Sequence, residues 1–251
     1  MSTEDVLITR ADGLTHIRMN RPQKRNALTV AMYDAMAASL AQAETDGTAV
    51  VLFSGAGAGF SAGNDLVDFM NNRTNEPDPP VQRFLRGIAT SSRILIATVQ
   101  GNAVGVGTTM LLHCDFVLAE PDAMLSMPFT DLGLVPEAAS SLLLPRLVGH
   151  QRAAELMLLG EPLPAARAEA LGLVNRVVAA GQGLAEAEAL AARLLAKPRT
   201  ALLATKRLMN SPTTDLAGRM AEEGVAFAAG LQSPEFAAIA AKFFAARTKA
   251  A

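Results

Sequence analysis

Three glycines stand close together near the middle of the chain, at Gly101, Gly105 and Gly107. They follow an apolar run, Ile94–Val99, that is typical of a buried strand, and they precede an apolar segment of helical length. Glycines at such a junction let the backbone approach another group closely, and the first N–H groups of the helix have no partner within it. With the positive end of the helix dipole behind them, these groups could hold a phosphate or a developing oxyanion.

The residues around the glycines distinguish between these two ligands. A dinucleotide-binding turn requires a small residue three positions after Gly107, where the chain has Met110. A P-loop requires a lysine followed by serine or threonine, and residues 99–115 contain no lysine. What remains is a site for a carbonyl that takes up negative charge during a reaction, or a tight packing turn without a ligand.

Composition excludes several classes of partner. The 251 residues have a formal net charge of -2, and no run of like charge occurs that would favour nucleic acid or an anionic membrane. No apolar run is long enough to span a bilayer, and the acidic N-terminus is unlike a signal peptide. The single cysteine, Cys114, cannot form an internal disulfide. The three histidines have no common spacing, so no metal site is expected. We therefore expect a cytoplasmic protein that binds neither nucleic acid nor membrane.

Strands and helices alternate through the first two thirds of the chain, which predicts an α/β fold. We expect helices joined by short turns over residues 156–178, and only helices after residue 183. The polar, proline-rich residues 71–80 predict a surface loop beside the site. The other predicted elements are a hairpin of residues 6–9 and 15–19, helices at 27–43 and 81–92, strands at 48–53, 116–119 and 124–127, and a short segment at 66–70 that Asp65 caps.

The change from alternating elements to helices alone predicts two regions, with a boundary near residue 197. Residues 1–197 form the core and contain the site, and residues 198–251 form a helical region. Its helices, predicted at 211–230 and 233–248, are too short and apolar to stand alone, so they should pack on the core or on another subunit.

Pro136 and Glu137 have the sequence of a helix start. Proline is favourable at the first helical position, and a glutamate in the first turn stabilises the helix dipole by roughly 0.3–1 kcal/mol. Taken from these residues alone, the favoured interpretation of Glu137 is structural rather than catalytic.

Six segments, in this order and spacing, resemble the crotonase, or enoyl-CoA hydratase/isomerase, superfamily over essentially the whole chain. The resemblance implies a spiral of ββα repeats, with the C-terminal helices serving trimerisation and covering the site. It also implies an acyl-CoA thioester as substrate, no cofactor beyond that coenzyme A, and a homotrimer or a hexamer built from two trimers. The segments are residues 20–28, 60–66 (FSAGNDL), 101–115, 132–136 (LGLVP), 144–149 (LPRLVG) and 170–175 (ALGLVN).

Members of the superfamily stabilise the substrate enolate with two backbone N–H groups. By position these donors fall on Asn64 and Val106, although the second position is usually glycine. Lys24 and Arg25 precede the first helix, where they could meet CoA phosphates or remain solvated. The further positions that the resemblance assigns to substrate binding are Ala27, Ala62, Gly63, Asp65, Leu66, Gly105, Phe129 and Pro136.

The carboxylates determine which reaction the resemblance implies. Hydratases of the superfamily use two glutamates, and the matching positions here are Thr109 and Phe129, neither of which is a base. Glu137 instead matches the single base of isomerases that resemble the peroxisomal type. Aromatic-pathway isomerases and a dehalogenase branch have an aspartate at about this place. Burial against Phe129, Leu134 and Val135 should raise the pKa of such a base.

The reaction that follows is transfer of a proton by Glu137 from C2 to C4 of a 3-enoyl-CoA, which gives the conjugated 2-enoyl-CoA. Three enzymatic alternatives stay open: isomerisation of a ring-derived acyl-CoA, hydration, and nucleophilic dehalogenation or hydrolysis. A fourth alternative is a non-catalytic relative that binds CoA or assembles with other chains.

Overall fold

The computed structural model describes residues 3–71, 77–212 and 215–240. The chain divides into two compact units, Met1–Ala192 and Arg193–Ala251. Both β-sheets lie in the first unit, and the described residues of the second unit contain helices without strands. The functional division into residues 1–197 and 198–251 stays a prediction.

Within the described part of the chain, nine strands form two sheets, and the expected alternation of strands and helices is present. The first sheet has the order β1-β2-β3-β4-β6-β9, and the second has the order β5-β7-β8. In the first sheet only the hairpin pair is antiparallel, and all other neighbours are parallel. The strands are β1 (Val6–Ala11), β2 (Leu14–Met19), β3 (Val50–Gly55), β4 (Ile94–Val99), β5 (Asn102–Val104), β6 (Phe116–Ala119), β7 (Met124–Ser126), β8 (Leu163–Pro164) and β9 (Arg176–Val177).

Apolar runs explain the centre of the first sheet. Every residue of β3 and β4 is buried, as parallel strands covered on both faces require.

The helices of the described residues are α1 (Val30–Ala43), α2 (Leu66–Asn71), α3 (Pro80–Thr90), α4 (Val106–Thr109), α5 (Ser140–Val148), α6 (His150–Leu158), α7 (Ala165–Ala170), α8 (Gly183–Leu195), α9 (Arg199–Asn210) and α10 (Leu216–Leu231). None of them is both long and apolar enough to cross a membrane.

The start of α1 differs from its prediction at residue 27. Pro22–Lys24 form a 3-10 turn, and Arg25 and Asn26 have left-handed φ angles of 52° and 55°, which delays the helix. The helix begins after Thr29, whose hydroxyl accepts the Met32 N–H at 3.2 Å. This is the usual capping chemistry of a helix N-terminus.

Four other expectations about elements are wrong in part. The helix after the glycines is a single turn, α4, followed by a 3-10 helix, Met110–His113. Residues 156–178 contain β8 and β9 as well as helices. Residues 136–139 are not helical, because α5 begins only at Ser140. The helix predicted at 211–230 begins at Leu216, after Asp215 caps it.

Two predicted segments lie partly outside the described residues. Of the loop expected at 71–80, residues 72–76 are not described, and α3 begins at Pro80. Of the helix expected at 233–248, residues 234–240 are helical and the remainder is outside the described part of the chain.

Candidate active site

Three extended segments lie side by side at the position of the two expected donors. Ser61 pairs with Ala103 in parallel: its N–H donates to Asn102 O at 3.0 Å, and its carbonyl accepts the Val104 N–H at 2.9 Å. This pairing places residues 61–65 beside β5 and the glycines that follow it.

On its other side, the same segment pairs with Leu28. The Leu28 N–H donates to Gly63 O at 2.7 Å, and the Leu28 carbonyl accepts the Asp65 N–H at 2.9 Å. In a parallel pairing of this kind the peptide N–H of the intervening residue, Asn64, points away from Leu28. Within the described part of the chain, that N–H makes no hydrogen bond.

Val106 supplies a second N–H of the same kind. Val106 is the first residue of α4. The first hydrogen bonds of this helix run from the N–H groups of Thr108 and Thr109 to the carbonyl of Gly105, both at 2.9 Å. The N–H of Val106 makes no hydrogen bond to any described residue, as expected at a helix N-terminus.

Register places these two N–H groups near each other. Val106 lies three residues beyond Ala103, as Asn64 lies three residues beyond its partner Ser61. The two groups therefore stand at the same end of paired, parallel segments. Such an arrangement could hold a carbonyl oxygen that becomes negatively charged.

Both the backbone angle and the available space require glycine at position 63. Gly63 has a φ of +84°, and a Cβ built on it would lie 2.8 Å from Val104 O. A Cβ on Gly107 would lie 3.1 Å from Ser61 Cβ. Val106, by contrast, is only 2% exposed because its side chain belongs to the hydrophobic core. A valine is therefore compatible with a free N–H at this position.

Glu137 stands in the loop between a 3-10 helix, Thr130–Leu132, and α5. Its carboxylate Oε1 accepts a hydrogen bond from the buried Thr109 hydroxyl at the end of α4. The Glu137 carbonyl accepts the Ser140 N–H at 2.9 Å and the Ser140 hydroxyl at 2.6 Å. The Glu137 side chain is thus hydrogen-bonded to α4, the helix that begins with Val106.

Two alanines after Glu137 adopt an unusual backbone conformation. Ala138 and Ala139 have φ angles of 53° and 54°, a region that costs a non-glycine residue roughly 1–2 kcal/mol. His113 Nε2 lies 2.8 Å from the Ala138 carbonyl oxygen and helps to hold the loop. Backbone strain of this type concentrates at functional sites.

The surroundings of Glu137 change its acidity. Burial raises the pKa of the Glu137 carboxyl above its ordinary value, and the hydrogen bond from Thr109 lowers it in part. Phe129 is buried, as expected, but Leu134 and Val135 are 54% and 81% exposed. The direction of the pKa change agrees with the prediction, whereas the expectation that Leu134 and Val135 supply the burial is wrong.

Sequence reasoning missed one residue of the site, Tyr33 on α1. Its phenol hydroxyl donates to Asn64 Oδ1 at 2.5 Å, and the side chain is completely buried. Burial raises the pKa of the phenol well above its ordinary value, and the negative charge of Glu137 raises it further. A signal was available, because this is the single tyrosine of the sequence and it lies within the predicted helix 27–43.

Asp65 has a structural role that the sequence predicts correctly. Its carboxylate accepts the N–H groups of Val67 and Asp68 at the start of α2, at 3.2 and 3.1 Å. It also accepts a 2.7 Å hydrogen bond from Arg21, which lowers the pKa of the Asp65 carboxyl.

The assignment of residues to substrate binding, including Gly63, Asp65 and Phe129, stays a prediction. Lys24, Arg25 and Leu66 are exposed; Ala27, Ala62, Gly105 and Pro136 are half-buried. Among the described residues, no group of three or more His, Cys, Asp or Glu side chains is arranged to hold a metal ion.

Comparison with known proteins identifies the family. The enoyl-CoA hydratase/isomerase family model matches residues 9–237. The chain belongs to this family. A related protein, enoyl-CoA delta isomerase 2 of Rattus norvegicus, is 38% identical over 181 residues, which cover 70% of this chain and 46% of the rat protein. The peroxisomal enoyl-CoA delta isomerase 3 of Mus musculus matches over 57% of its length, so the chain spans about half of each of these relatives.

Two further similar proteins match over nearly their whole length. The 1,2-epoxyphenylacetyl-CoA isomerase of Escherichia coli K12 is 34% identical over 252 residues, covering 89% of this chain and 95% of that protein. The crystal structure of an enoyl-CoA hydratase/isomerase from Pseudoalteromonas atlantica T6c has a TM-score of 0.80 and 39% identity, covering 96% of both chains. The predicted superfamily and its crotonase-like fold are thereby confirmed.

Proposed function

We propose that this chain is an acyl-CoA isomerase that moves a double bond from C3 to C2 of an enoyl-CoA, with Glu137 as its acid/base. The observation that supports this proposal is the contact between the Glu137 carboxylate and the Thr109 hydroxyl. At position 109, where a hydratase has a second carboxylate, this chain has a threonine. The Thr109 hydroxyl hydrogen-bonds the carboxylate of Glu137. A single carboxylate can move a proton between two carbons without adding water.

In the proposed reaction, Glu137 removes a proton from C2 and the C2–H electron pair forms the enolate. The thioester oxygen takes up the negative charge and accepts hydrogen bonds from the N–H groups of Asn64 and Val106. Glu137 then returns the proton to C4, so that the double bond ends between C2 and C3 and the carboxylate is restored. Removing one donor from comparable sites costs about 3–4 kcal/mol of transition-state stabilisation.

The raised pKa of Glu137 suits this exchange. A glutamate with an ordinary pKa is too weak a base to remove a thioester α-proton efficiently, and burial makes it a stronger one. The Thr109 hydroxyl occupies Oε1, which leaves Oε2 for the proton. Hydration is disfavoured because Thr109 and Phe129 offer no second carboxylate to hold water.

The test is an absorbance assay on the purified protein with a trans-3-enoyl-CoA and no added hydratase. We expect the ultraviolet absorbance of the conjugated 2-enoyl thioester to rise, and the rise to disappear in Glu137→Gln. Glu155→Gln, which removes the charge of an exposed glutamate on α6, is the matched control and should retain the activity. If acyl-CoA binds but no absorbance develops in the wild type, the proposal fails.

A second candidate is isomerisation of a ring-derived acyl-CoA. The observation in its favour is the similarity to 1,2-epoxyphenylacetyl-CoA isomerase, which covers 95% of that protein. The two candidates use the same base and donors, so competition between a straight-chain 3-enoyl-CoA and an epoxidised aromatic acyl-CoA distinguishes them. The preferred substrate is the one with the larger kcat/KM.

Assembly and cofactor use are proposed on the resemblance, and location on the amino-acid composition with its single cysteine. We propose a homotrimer or a hexamer of two trimers in the cytoplasm, with no cofactor beyond the coenzyme A of the substrate. Sedimentation equilibrium of the full chain tests the assembly, and activity after extensive dialysis tests the cofactor requirement. A monomer, or activity restored only by an added cofactor, would contradict these statements.

A further inference from the structure

The Tyr33 phenol is held rigidly inside the first unit. It lies on α1, it is fully buried, and its ring packs against Phe84 with centroids 5.5 Å apart. Its hydroxyl donates to Asn64 Oδ1, 31 positions away in sequence. A buried hydroxyl without a partner would be costly, so this bond fixes both side chains.

The same residue, Asn64, has the N–H that we assign to the oxyanion. Its backbone is restrained by the two hydrogen bonds between Leu28 and the neighbours of Asn64, Gly63 and Asp65. Those bonds leave the Asn64 side chain free to rotate. The hydrogen bond from Tyr33 removes that freedom. Hydrogen bonds therefore restrain both the backbone of residues 63–65 and the side chain of Asn64.

We propose that Tyr33 is a positioning residue, whose hydroxyl holds the Asn64 carboxamide so that the Asn64 N–H points at the enolate oxygen. This inference rests on the proposed function of the site. Tyr33 itself touches no reacting atom, and its effect passes through Asn64. Preorganised donors are effective because they need no reorganisation when the charge develops.

The chemistry of the phenol fits this role. Burial raises the pKa of Tyr33 well above its ordinary value, and the charge of Glu137 raises it further, so the hydroxyl stays a donor over the working pH range. A neutral phenol adds no charge beside Glu137. Its removal should therefore weaken the oxyanion site without changing the pKa of the base.

The kinetic test compares wild type with Tyr33→Phe, which removes only the hydroxyl. We expect kcat to fall about tenfold, as the loss of one net hydrogen bond implies, with KM and the acid limb of the pH–rate profile unchanged. Asn64→Ala keeps the peptide N–H but removes the carboxamide. The double variant should be no slower than the slower single variant, because both changes break the same bond.

The equilibrium test uses acetoacetyl-CoA, a 3-oxoacyl thioester whose enolate absorbs in the near ultraviolet. In a Glu137→Gln background, which contains no base, Tyr33→Phe should lower the enolate-to-keto ratio of the bound thioester about tenfold. Thr15→Val is the matched control. Its hydroxyl is buried and lies 2.7 Å from the Thr48 hydroxyl, outside the site, so its loss should leave the enolate ratio unchanged.

The outcomes separate this inference from the proposed function. If Tyr33→Phe lowers stability but leaves kcat and the enolate ratio at their wild-type values, Tyr33 is structural and the inference is wrong. Additive effects of Tyr33→Phe and Asn64→Ala on kcat would also overturn it. If the wild type does not isomerise 3-enoyl-CoA but the enolate ratio still falls in Tyr33→Phe, the proposed function fails and the positioning role stands.

Discussion

Residues 61–65 are paired with a backbone segment on each side, whereas residues 133–139 form a loop in which Leu134 and Val135 are largely exposed. The first segment contributes the proposed donor Asn64, and the second contributes the proposed base Glu137. Backbone hydrogen bonds on both sides fix the donor segment, and Val104 O leaves no space for a Cβ at Gly63. The base is held by one hydrogen bond to its carboxylate, from Thr109, and by two to its carbonyl, from Ser140.

The difference matches what each group has to do in the proposed reaction. A donor that stabilises an oxyanion must already point at the charge before it forms. A base that removes a proton at C2 and returns it at C4 must serve two carbons. We therefore expect substitutions on the donor side to lower kcat by misplacing dipoles, and substitutions on the base side to change acidity or proton transfer.

The largest effect is expected from Glu137→Gln, which removes the base and leaves the donors in place. Isomerase turnover should fall by about 10²–10⁴, the usual contribution of general acid–base catalysis. Acyl-CoA affinity should stay near its wild-type value, because the donors and the fold are intact. Steady-state kinetics and calorimetric titration with a saturated acyl-CoA measure the two quantities. Unchanged turnover would assign the base elsewhere.

In the donor segment, residues 61–65, Gly63→Ala should lower isomerase turnover nearly as much as Glu137→Gln. The new Cβ would lie 2.8 Å from Val104 O, so the paired segments must separate and the donors must move. We expect kcat to fall by about 10²-fold, as for loss of an oxyanion donor. Gly47→Ala is the control: its φ is +91° with nothing within 4 Å of the added Cβ, so it introduces strain without changing activity. Equal kcat in both variants would show that the close approach at Gly63 is irrelevant.

Thr109→Val tests how the base is held. Loss of the hydroxyl removes the hydrogen bond that lowers the pKa of Glu137, so this pKa should rise further. Because the base works deprotonated, kcat/KM should then begin to fall at a higher pH as the solution is acidified. At neutral pH we expect kcat/KM to fall about five- to tenfold. Thr109→Ser should restore both kcat/KM and the pKa of Glu137. A pH–rate profile identical to wild type contradicts this account.

The smallest expected effect is on the strained loop after Glu137. Ala139→Gly relieves a left-handed φ of 54° and should raise the free energy of unfolding by about 0.5–1 kcal/mol, since glycine adopts this conformation freely. Ala41→Gly, at an exposed position within α1, should lower it by a similar amount. Urea denaturation measures both. If the two substitutions change stability in the same direction, the strain at Ala139 is not real.

The sequence predicts the parts of this structure that rest on local patterns. The apolar runs predict β3 and β4, and the glycines predict the close approach at Gly107, where an added Cβ would lie 3.1 Å from Ser61 Cβ. The resemblance points to Glu137 and to the two N–H groups. Each of these conclusions depends on residues that are near one another along the chain or on a motif.

Other features depend on tertiary contacts, which periodicity does not show. The bond between Tyr33 and Asn64 exists because α1 packs beside residues 61–65. Alanine favours helices, so nothing local predicts left-handed angles at Ala138 and Ala139. β8 and β9 are two residues long and owe their conformation to their partners.

The most direct test of the central claim follows the proton itself. A trans-3-enoyl-CoA in which deuterium replaces both hydrogens on C2 is incubated with the full chain. The product is examined by mass spectrometry and NMR. We expect a 2-enoyl-CoA that contains deuterium at C4, formed by wild type and not by Glu137→Gln, with no 3-hydroxyacyl-CoA. A hydrated product, or the same deuterated 2-enoyl-CoA from Glu137→Gln, would contradict it.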